Sequence, residues 1–298
     1  MVIMKKNAVQ LPGEYYFTRD ILPAALKQVH GNSLSHTHNY TGIPHWHDFS
    51  ELVIIMAGSG TQNIDGKSRP VSAGDVFVIA GKTTHYFENY KNLEITNIMF
   101  SEQLFSGLGN YLNRIPGYQL VFRIEPGLQL RRTFHNSLHL SPQQLSHVSR
   151  LCEQIRSEQE RHPSGYEAAV ISELLNLIIF LSRAADKQKD TAPAETRLAS
   201  LFSTLEADFR EDWPLQRMAS CAGMSVSTLL RTFRIVLRKS PLQYLMELRL
   251  SSAAYLLRNT DRTVSEIAYA CGFHDSNYFT KSFQTHFHQT PTRYRKQR

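Results

Sequence analysis

The sequence predicts an α+β multidomain protein. A β-barrel or sandwich followed by a helical segment forms the N-terminal part, and an all-α C-terminal domain carries two helix-turn-helix units. Three observations predict this. Short β-branched and aromatic runs alternate with turn signals over residues 14–125, apolar residues recur at spacings of three and four from 141 onward, and a segment near 218 is repeated near 267. A chain of 298 residues is also more often two domains than one.

The β-rich runs are 51–57 (ELVIIMA), 75–80 (DVFVIA) and 93–100 (LEITNIMF), punctuated by Gly58-Ser59-Gly60, Asp65-Gly66 and Ala73-Gly74-Asp75. Asp-Gly between apolar runs signals a two-residue hairpin, because both turn positions need a positive φ. Several short strands at this spacing suit a small barrel or sandwich.

The pattern changes at Ser141-Pro142, a good N-cap and first-turn pair. Leu145, Val148, Cys152 and Ile155 then form one helical stripe, and Pro163-Ser164-Gly165 ends that helix. Ala169, Val170, Leu174, Leu177, Ile178 and Leu181 line one side of a second helix. Both stripes read either as core or as the seam of a homodimer. The apolar run 174–181 is interrupted by Asn176 and is too short to cross a bilayer. Residues 1–10 hold two lysines with no apolar stretch after them, so no signal peptide and no membrane partner are expected. Residues 186–196 (DKQKDTAPAET) are polar and aperiodic. They read as a linker between an effector-binding and dimerisation domain, 1–185, and a DNA-binding domain, 197–298. Cys152, Cys221 and Cys271 fit neither a zinc site nor a disulfide framework. As small hydrophobes in helical patterns they suit a reducing cytoplasm.

Charge separates the two parts. Residues 1–195 hold 18 Lys+Arg and 18 Asp+Glu, whereas 196–298 hold 15 Lys+Arg and 8 Asp+Glu, the whole of the net +7. A neutral body with a basic C-terminal domain is the footprint of a polyanion binder, or else an inert basic surface. The repeat decides between them. MASCAGMSVSTLLRTF from Met218 aligns with IAYACGFHDSNYFTKSF from Ile267, pairing Ala219 with Ala268, Gly223 with Gly272, Met224 with Phe273 and Phe233 with Phe283.

Each copy has the grammar of a helix-turn-helix. A small residue stands where helices cross, a glycine supplies the turn, and apolar anchors (Leu229 and Phe233; Phe279 and Phe283) hold the second helix. The faces left over carry Ser227, Thr228 and Arg231 in the first unit, and Asp275, Ser276, Asn277, Thr280 and Lys281 in the second. Such side chains can read base edges in a major groove of double-stranded DNA. Residues 241–257 can form a helix with Leu245, Leu248, Ala253, Leu256 and Leu257 on its buried side. It would space the two recognition helices for successive major grooves, about 34 Å apart.

Residues 197–298 resemble the DNA-binding domain of the AraC/XylS family of transcription regulators. The match runs through Ala219, Gly223, Ser240-Pro241, Tyr244-Leu245, Arg249, Ile267-Ala268, Gly272-Phe273, Ser276-Asn277-Tyr278-Phe279, Phe283, Phe287, Pro291 and Tyr294-Arg295. The resemblance implies recognition helices at 225–236 and 275–285, adding Arg234 and Arg238 to the DNA-contacting set. Two departures stand out. The family commonly places Gly after each recognition helix, where this chain has Arg238 and His288. A left-handed conformation there would cost roughly 1 kcal/mol. The other departure is Leu230, apolar where a polar reader is common, which either touches a thymine methyl or packs inward.

His45-Trp46-His47 with Glu51, then Gly74, His85 and Asn89, resemble the two motifs of the cupin superfamily, with Ala80 and Lys82 in place of the usual Pro and Gly. The resemblance implies a cupin-like barrel in which His45, His47, Glu51 and His85 converge. They would serve either as contacts to a sugar effector or as ligands of a divalent metal of the Fe, Mn, Ni or Zn type. His36 and His38 read as a polar loop or a rim. The arrangement is most like the rhamnose-operon activators of the AraC family. That implies a non-enzymatic activator responding to L-rhamnose or a related sugar, contacting RNA polymerase and requiring no cofactor. The competing reading is a metal-dependent cupin enzyme acting on a small sugar, with a DNA-binding appendage.

Overall fold

Strand pairing in the N-terminal half follows the apolar runs read from the sequence. The structure is a computed structural model that describes residues 14–16, 24–30, 44–100, 104, 108–128, 138–188 and 193–296. Eight strands form one sheet: β1 (Glu14–Tyr16), β2 (Ala24–His30), β3 (His45–His47), β4 (Ser50–Ile64), β5 (Lys67–Ser72), β6 (Asp75–Ile79), β7 (His85–Phe100) and β8 (Leu138–His139). The order is β1-β3-β7-β4-β6-β8, with β2 also on β7 and β5 also on β4. The long strands β4 and β7 pair along their whole length, with register shifts between Ile55 and Thr61. Asp65 and Gly66 turn β4 into β5 with φ 45° and 76°, the two positive angles a two-residue hairpin needs.

Because successive side chains point to opposite faces, the sheet feeds two cores. Val53, Ile55, Phe77, Ile79, Phe87 and Ile95 fill its inner face. Leu52, Ile54, Val76, Val78 and Ile98 point the other way, into helices α4 (Pro142–Arg161) and α5 (Tyr166–Lys187). Ser141 and Gln144 make a capping box at the start of α4, with Pro142 in its first turn. Val148, Cys152 and Ile155 are buried within the single chain, so that stripe is core and cannot be a dimer seam. By length and composition α5 could cross a bilayer, but Val170, Leu174, Leu177, Ile178 and Leu181 pack in the same core.

Three expectations need correction. Strands do not continue to 125. Beyond Phe100 the described chain forms α1 (Gly109–Leu112), α2 (Pro116–Tyr118), a π-helical turn Gln119–Ile124 and α3 (Glu125–Leu128). Residues 193–196 are not linker but the first turn of α6 (Pro193–Asp208). Cys221 is exposed, whereas Cys152 and Cys271 are the buried hydrophobes expected. Burial pushes the Cys152 thiol up to about 12. His36, His38 and residues 1–10 lie outside the described residues.

The C-terminal domain continues with α7 (Leu215–Cys221), α8 (Val226–Leu237), α9 (Pro241–Asn259), α10 (Val264–Ala270), α11 (Ser276–Phe287) and α12 (Pro291–Arg295). The first half of α9 gives Tyr244 and Leu245 to one core, and its second half gives Leu250, Ala253, Ala254 and Leu257 to another. Arg249, at the junction, donates from Nε to the Phe209 carbonyl and from Nη2 to the Glu211 carbonyl, both at 2.8 Å. One helix therefore does join the two units, as its apolar pattern predicts.

Candidate functional site

The repeated segments fold as two helix-turn-helix units, α7–α8 and α10–α11. Ala219 and Ala268 are buried at the crossings, and Leu229, Phe233, Phe279 and Phe283 are fully buried. Gly223 and Gly272 take φ 58° and 83° in the turns. Ser225 caps α8 by accepting from the Thr228 backbone, and Asp275 caps α11 by accepting from the Tyr278 backbone. Both helices end in left-handed residues: Arg238 at φ 55° and His288 at φ 57°. The geometry a glycine would adopt is thus kept without the glycine.

Exposure then separates the expected readers. Ser227, Arg231, Arg234 and Arg238 form one exposed face of α8, and Asn277, Lys281, Gln284 and His288 form the equivalent face of α11. Gln284 escaped notice in the sequence because no pattern marks an exposed glutamine. Thr228, Ser276 and Thr280 are half-buried. The Thr280 hydroxyl donates back to the Ser276 carbonyl at 2.8 Å, and the Asp275 carboxylate is engaged by its own helix. Thr228, Ser276 and Thr280 are thus turned partly inward, while Asp275 is exposed and caps α11. Leu230 is exposed and does not pack inward.

Inside the sheet, His45 and His47 on β3, Glu51 on β4 and His85 on β7 are all buried. Register places His45 opposite His85. His47 Nδ1 donates to the Phe49 carbonyl at 2.8 Å and His85 Nδ1 to the Thr83 carbonyl at 2.9 Å. A carbonyl can only accept, so each ring turns Nε2 toward the carboxylate. Glu51 Oε2 lies 3.3 Å from His47 Nε2 and 3.1 Å from His85 Nε2. Burial raises the Glu51 pKa, but hydrogen bonds and charge from His47 and His85 outweigh it and hold the carboxyl well below the usual range.

Ligand atoms of His47, Glu51 and His85 all lie within 4.8 Å of one another. His45 stands beside them, its ring centroid 4.2 Å from that of His85. The four residues expected to converge therefore divide into a group of three and a neighbour whose ring is tilted against that of His85. Two further observations were not legible in the motif. Glu51 Oε1 and Asn97 Oδ1 are buried with no hydrogen-bond partner. Asn97 is opposite Val53 on β4, two residues from Glu51, and by strand parity shares the inner face with Ile95.

A cavity of about 720 Å³ lies elsewhere, between the sheet and the end of α8. Ser50, Ala80 and Thr83 line one wall, Tyr118, Phe122 and Arg123 another, and Ile235 to Arg238 a third. Around it the segment 116–128 is pressed between the two halves of the chain. A Cβ on Gly127 would lie 2.9 Å from Val236 Cα. Leu120, Ile124 and Leu128 share a core with Phe202, Leu229 and Phe233.

A ligand-binding fold joined to paired helix-turn-helix units defines a DNA-binding transcription regulator with a sensory domain. The AraC-like ligand binding domain family matches residues 33–202, and a helix-turn-helix domain family matches 218–297. The chain belongs to the AraC family of regulators. It is 27% identical to the HTH-type transcriptional activator RhaR of Mannheimia succiniciproducens, over 97% of each chain. It is 30% identical to the HTH-type transcriptional activator RhaS of Enterobacter sp. strain 638, covering 85% of this chain and 87% of that one. The RhaS of Klebsiella pneumoniae strain 342 is 29% identical, covering 83% and 85%. The reading as a cupin enzyme with an appendage finds no support among these relatives.

Proposed function

We propose that the chain is a cytoplasmic, homodimeric activator of a carbohydrate-utilisation operon. It binds L-rhamnose or a related sugar inside the sheet and recruits RNA polymerase from a bound operator. The observation that carries the sensory half is the unpartnered Glu51 Oε1 and Asn97 Oδ1 on the inner face. Buried acceptors left unsatisfied cost roughly 1–3 kcal/mol each, and hydroxyl donors of a sugar would relieve that cost. Arg231, Arg234, Lys281 and Asn277 carry DNA contact in this reading, Arg231 to guanine and Asn277 to adenine. Full-length protein titrated with a sugar panel in thermal-shift and operator-binding assays tests it. The expected result is a sugar that raises the melting temperature and changes operator affinity. Glu51→Ala should raise the sugar concentration needed by about tenfold. No response to any sugar would refute it.

The clustering of His47, Glu51 and His85 favours a second reading, a divalent metal in the same chamber. The donor set fits: two imidazole Nε2 atoms oriented by carbonyl hydrogen bonds, and a carboxylate held ionised. His47, Glu51 and His85 would hold such an ion, which would supply a Lewis-acid centre for a sugar's hydroxyl oxygens. The residues would anchor it, with no turnover implied. A chelator should then reproduce the Glu51→Ala dose response, and added metal should reverse the chelator.

A further inference from the structure

We propose that the 720 Å³ cavity between the sheet and the end of α8 is a second small-molecule site, for an organic anion carrying hydroxyl groups, such as a sugar acid or sugar phosphate. Its size is that of ordinary ligand pockets, roughly 300–1,000 Å³. The lining sets the chemistry. Arg123 and Arg238 are among its lining residues, and among the described residues no Asp or Glu lines it. The hydroxyl-bearing Ser50, Thr83 and Tyr118 also line it, as does Phe122, stacked on Tyr118 at 5.1 Å. Guanidinium binds carboxylate and phosphate through paired hydrogen bonds, while hydroxyls and aromatic faces suit a sugar body.

The walls explain what such a ligand would do. Ser50 immediately precedes Glu51, and the Thr83 carbonyl holds the His85 ring. Arg238 ends the first recognition helix, on the exposed face that carries Arg231 and Arg234. A ligand between them touches the frame of the inner chamber and the end of a DNA-reading helix at once. It binds the arrangement in which α8 rests on the segment 116–128 and loses its contacts when that arrangement opens. By linkage, DNA and anion must then change each other's affinity by the same factor.

Calorimetric titration of the full chain with glucose 6-phosphate and D-glucuronate, against glucose and inorganic phosphate, tests this. At least one sugar anion should bind more tightly than either control. Arg238→Gln should weaken it about tenfold or more, the scale of a lost charge-assisted hydrogen bond. Ala80→Trp, which fills the cavity, should abolish it, with circular dichroism confirming the fold. Operator DNA should shift the anion's dissociation constant. Failure of both sugar anions to bind, equal binding by Arg238→Gln, or inorganic phosphate binding as tightly as the sugar phosphate would each overturn the proposal. The site differs from the inner chamber, so loss of the neutral-sugar response would count against the proposed function alone.

Discussion

The first helix-turn-helix unit buries Leu229 and Phe233 in one cluster with Leu120, Ile124 and Leu128 from the N-terminal half. The second buries Phe279 and Phe283 among residues of α9, α10 and its own turn, with Phe287 and Tyr294 at the edge. Two copies of one motif have therefore been joined to different things. The first is continuous with the sensory body through α6 and the segment 116–128. The second is an autonomous small core, tied on by α9, by Arg249 and by the Gly272 turn. Packed side chains therefore connect the N-terminal half directly to the first unit, while the second is joined to it as a tethered body.

The two units differ most at their turn glycines. Both have positive φ, but their surroundings differ. A Cβ on Gly272 would lie 2.6 Å from the Arg210 carbonyl oxygen and 2.8 Å from Arg210 Cα, so backbone would have to move. A Cβ on Gly223 would meet Arg197 Nε at 2.9 Å, a side-chain atom that donates to the Ala222 carbonyl at 3.2 Å and can shift more cheaply than backbone. Gly272→Ala should cost about 3 kcal/mol or more, combining left-handed strain with a backbone clash. Gly223→Ala should cost about 1–2 kcal/mol, the strain plus a weakened Arg197 hydrogen bond. Urea unfolding of both variants measures the difference. Equal losses would mean the turns are equally constrained and the asymmetry is unreal.

The next largest effect probes the first unit's attachment to the body. The Tyr244 hydroxyl donates to Glu206 Oε1 at 2.7 Å, both side chains being buried. Burial raises the Glu206 pKa, opposed by Tyr244, Arg123, Asn113 and Arg114. The folded state thus binds its proton more readily than the unfolded chain does. This group's contribution is greatest below the ordinary carboxylate value and falls as pH rises through the raised folded value. Tyr244→Phe strands the carboxylate and should cost about 2 kcal/mol near neutral pH, and less as the solution is acidified. Melting temperature measured against pH checks both the loss and its slope. A pH-independent loss would mean that only packing was removed.

How much of this was legible in the sequence depends on the range of the forces involved. The cap Ser141, the Asp65-Gly66 hairpin and the apolar run of β4 are local, and each was readable from neighbouring residues, whereas Asp275 was read as a DNA contact and proved to be the cap of α11. The chamber residues were readable as a motif because strand parity puts His45 and His47 on one face. Which of them meet Glu51 was not, since ring orientation is set by the Phe49 and Thr83 carbonyls. The segment 116–128 failed outright. Val121, Phe122 and Ile124 favour strand by propensity, and Pro116 and Pro126 discourage long helix. It is helical because α5, α6 and α8 surround it. Gly117 and Gly127 mark the close approaches, but nothing local announces them.

The two recognition faces also differ in chemistry. The first unit presents Arg231, Arg234 and Arg238 beside Ser227; the second presents Asn277, Lys281, Gln284 and His288. The first face is the more strongly cationic, the second richer in amides that can pair with adenine. Arg234→Ala should weaken binding evenly across operator variants and reduce the slope of log K against log salt by about 1. Asn277→Ala should leave that slope unchanged and relax the preference at one base pair, by about 1–2 kcal/mol. Binding titrations over a salt series and a set of single-base operator variants would separate the two. The reverse pattern would exchange the roles of the units.

The smallest effect comes from the residues that end the recognition helices. Arg238 and His288 hold nearly the same backbone angles, φ 55° ψ 25° and φ 57° ψ 20°. A side chain in that left-handed region carries roughly 1 kcal/mol of strain that glycine lacks, part of which glycine's greater freedom in the unfolded chain takes back. Arg238→Gly and His288→Gly should therefore each stabilise the protein slightly, by about 0.5 kcal/mol. The backbone argument makes the two substitutions equivalent, whereas the surroundings do not. Arg238 lines the cavity against the sheet, and His288 is exposed at the far end of the autonomous unit. Only Arg238→Gly should also lower operator affinity, flatten its salt dependence and remove the response to a sugar anion. If His288→Gly did the same, the strained helix ends would be a shared DNA-binding device and not the mark of one unit's connection to the sensory body.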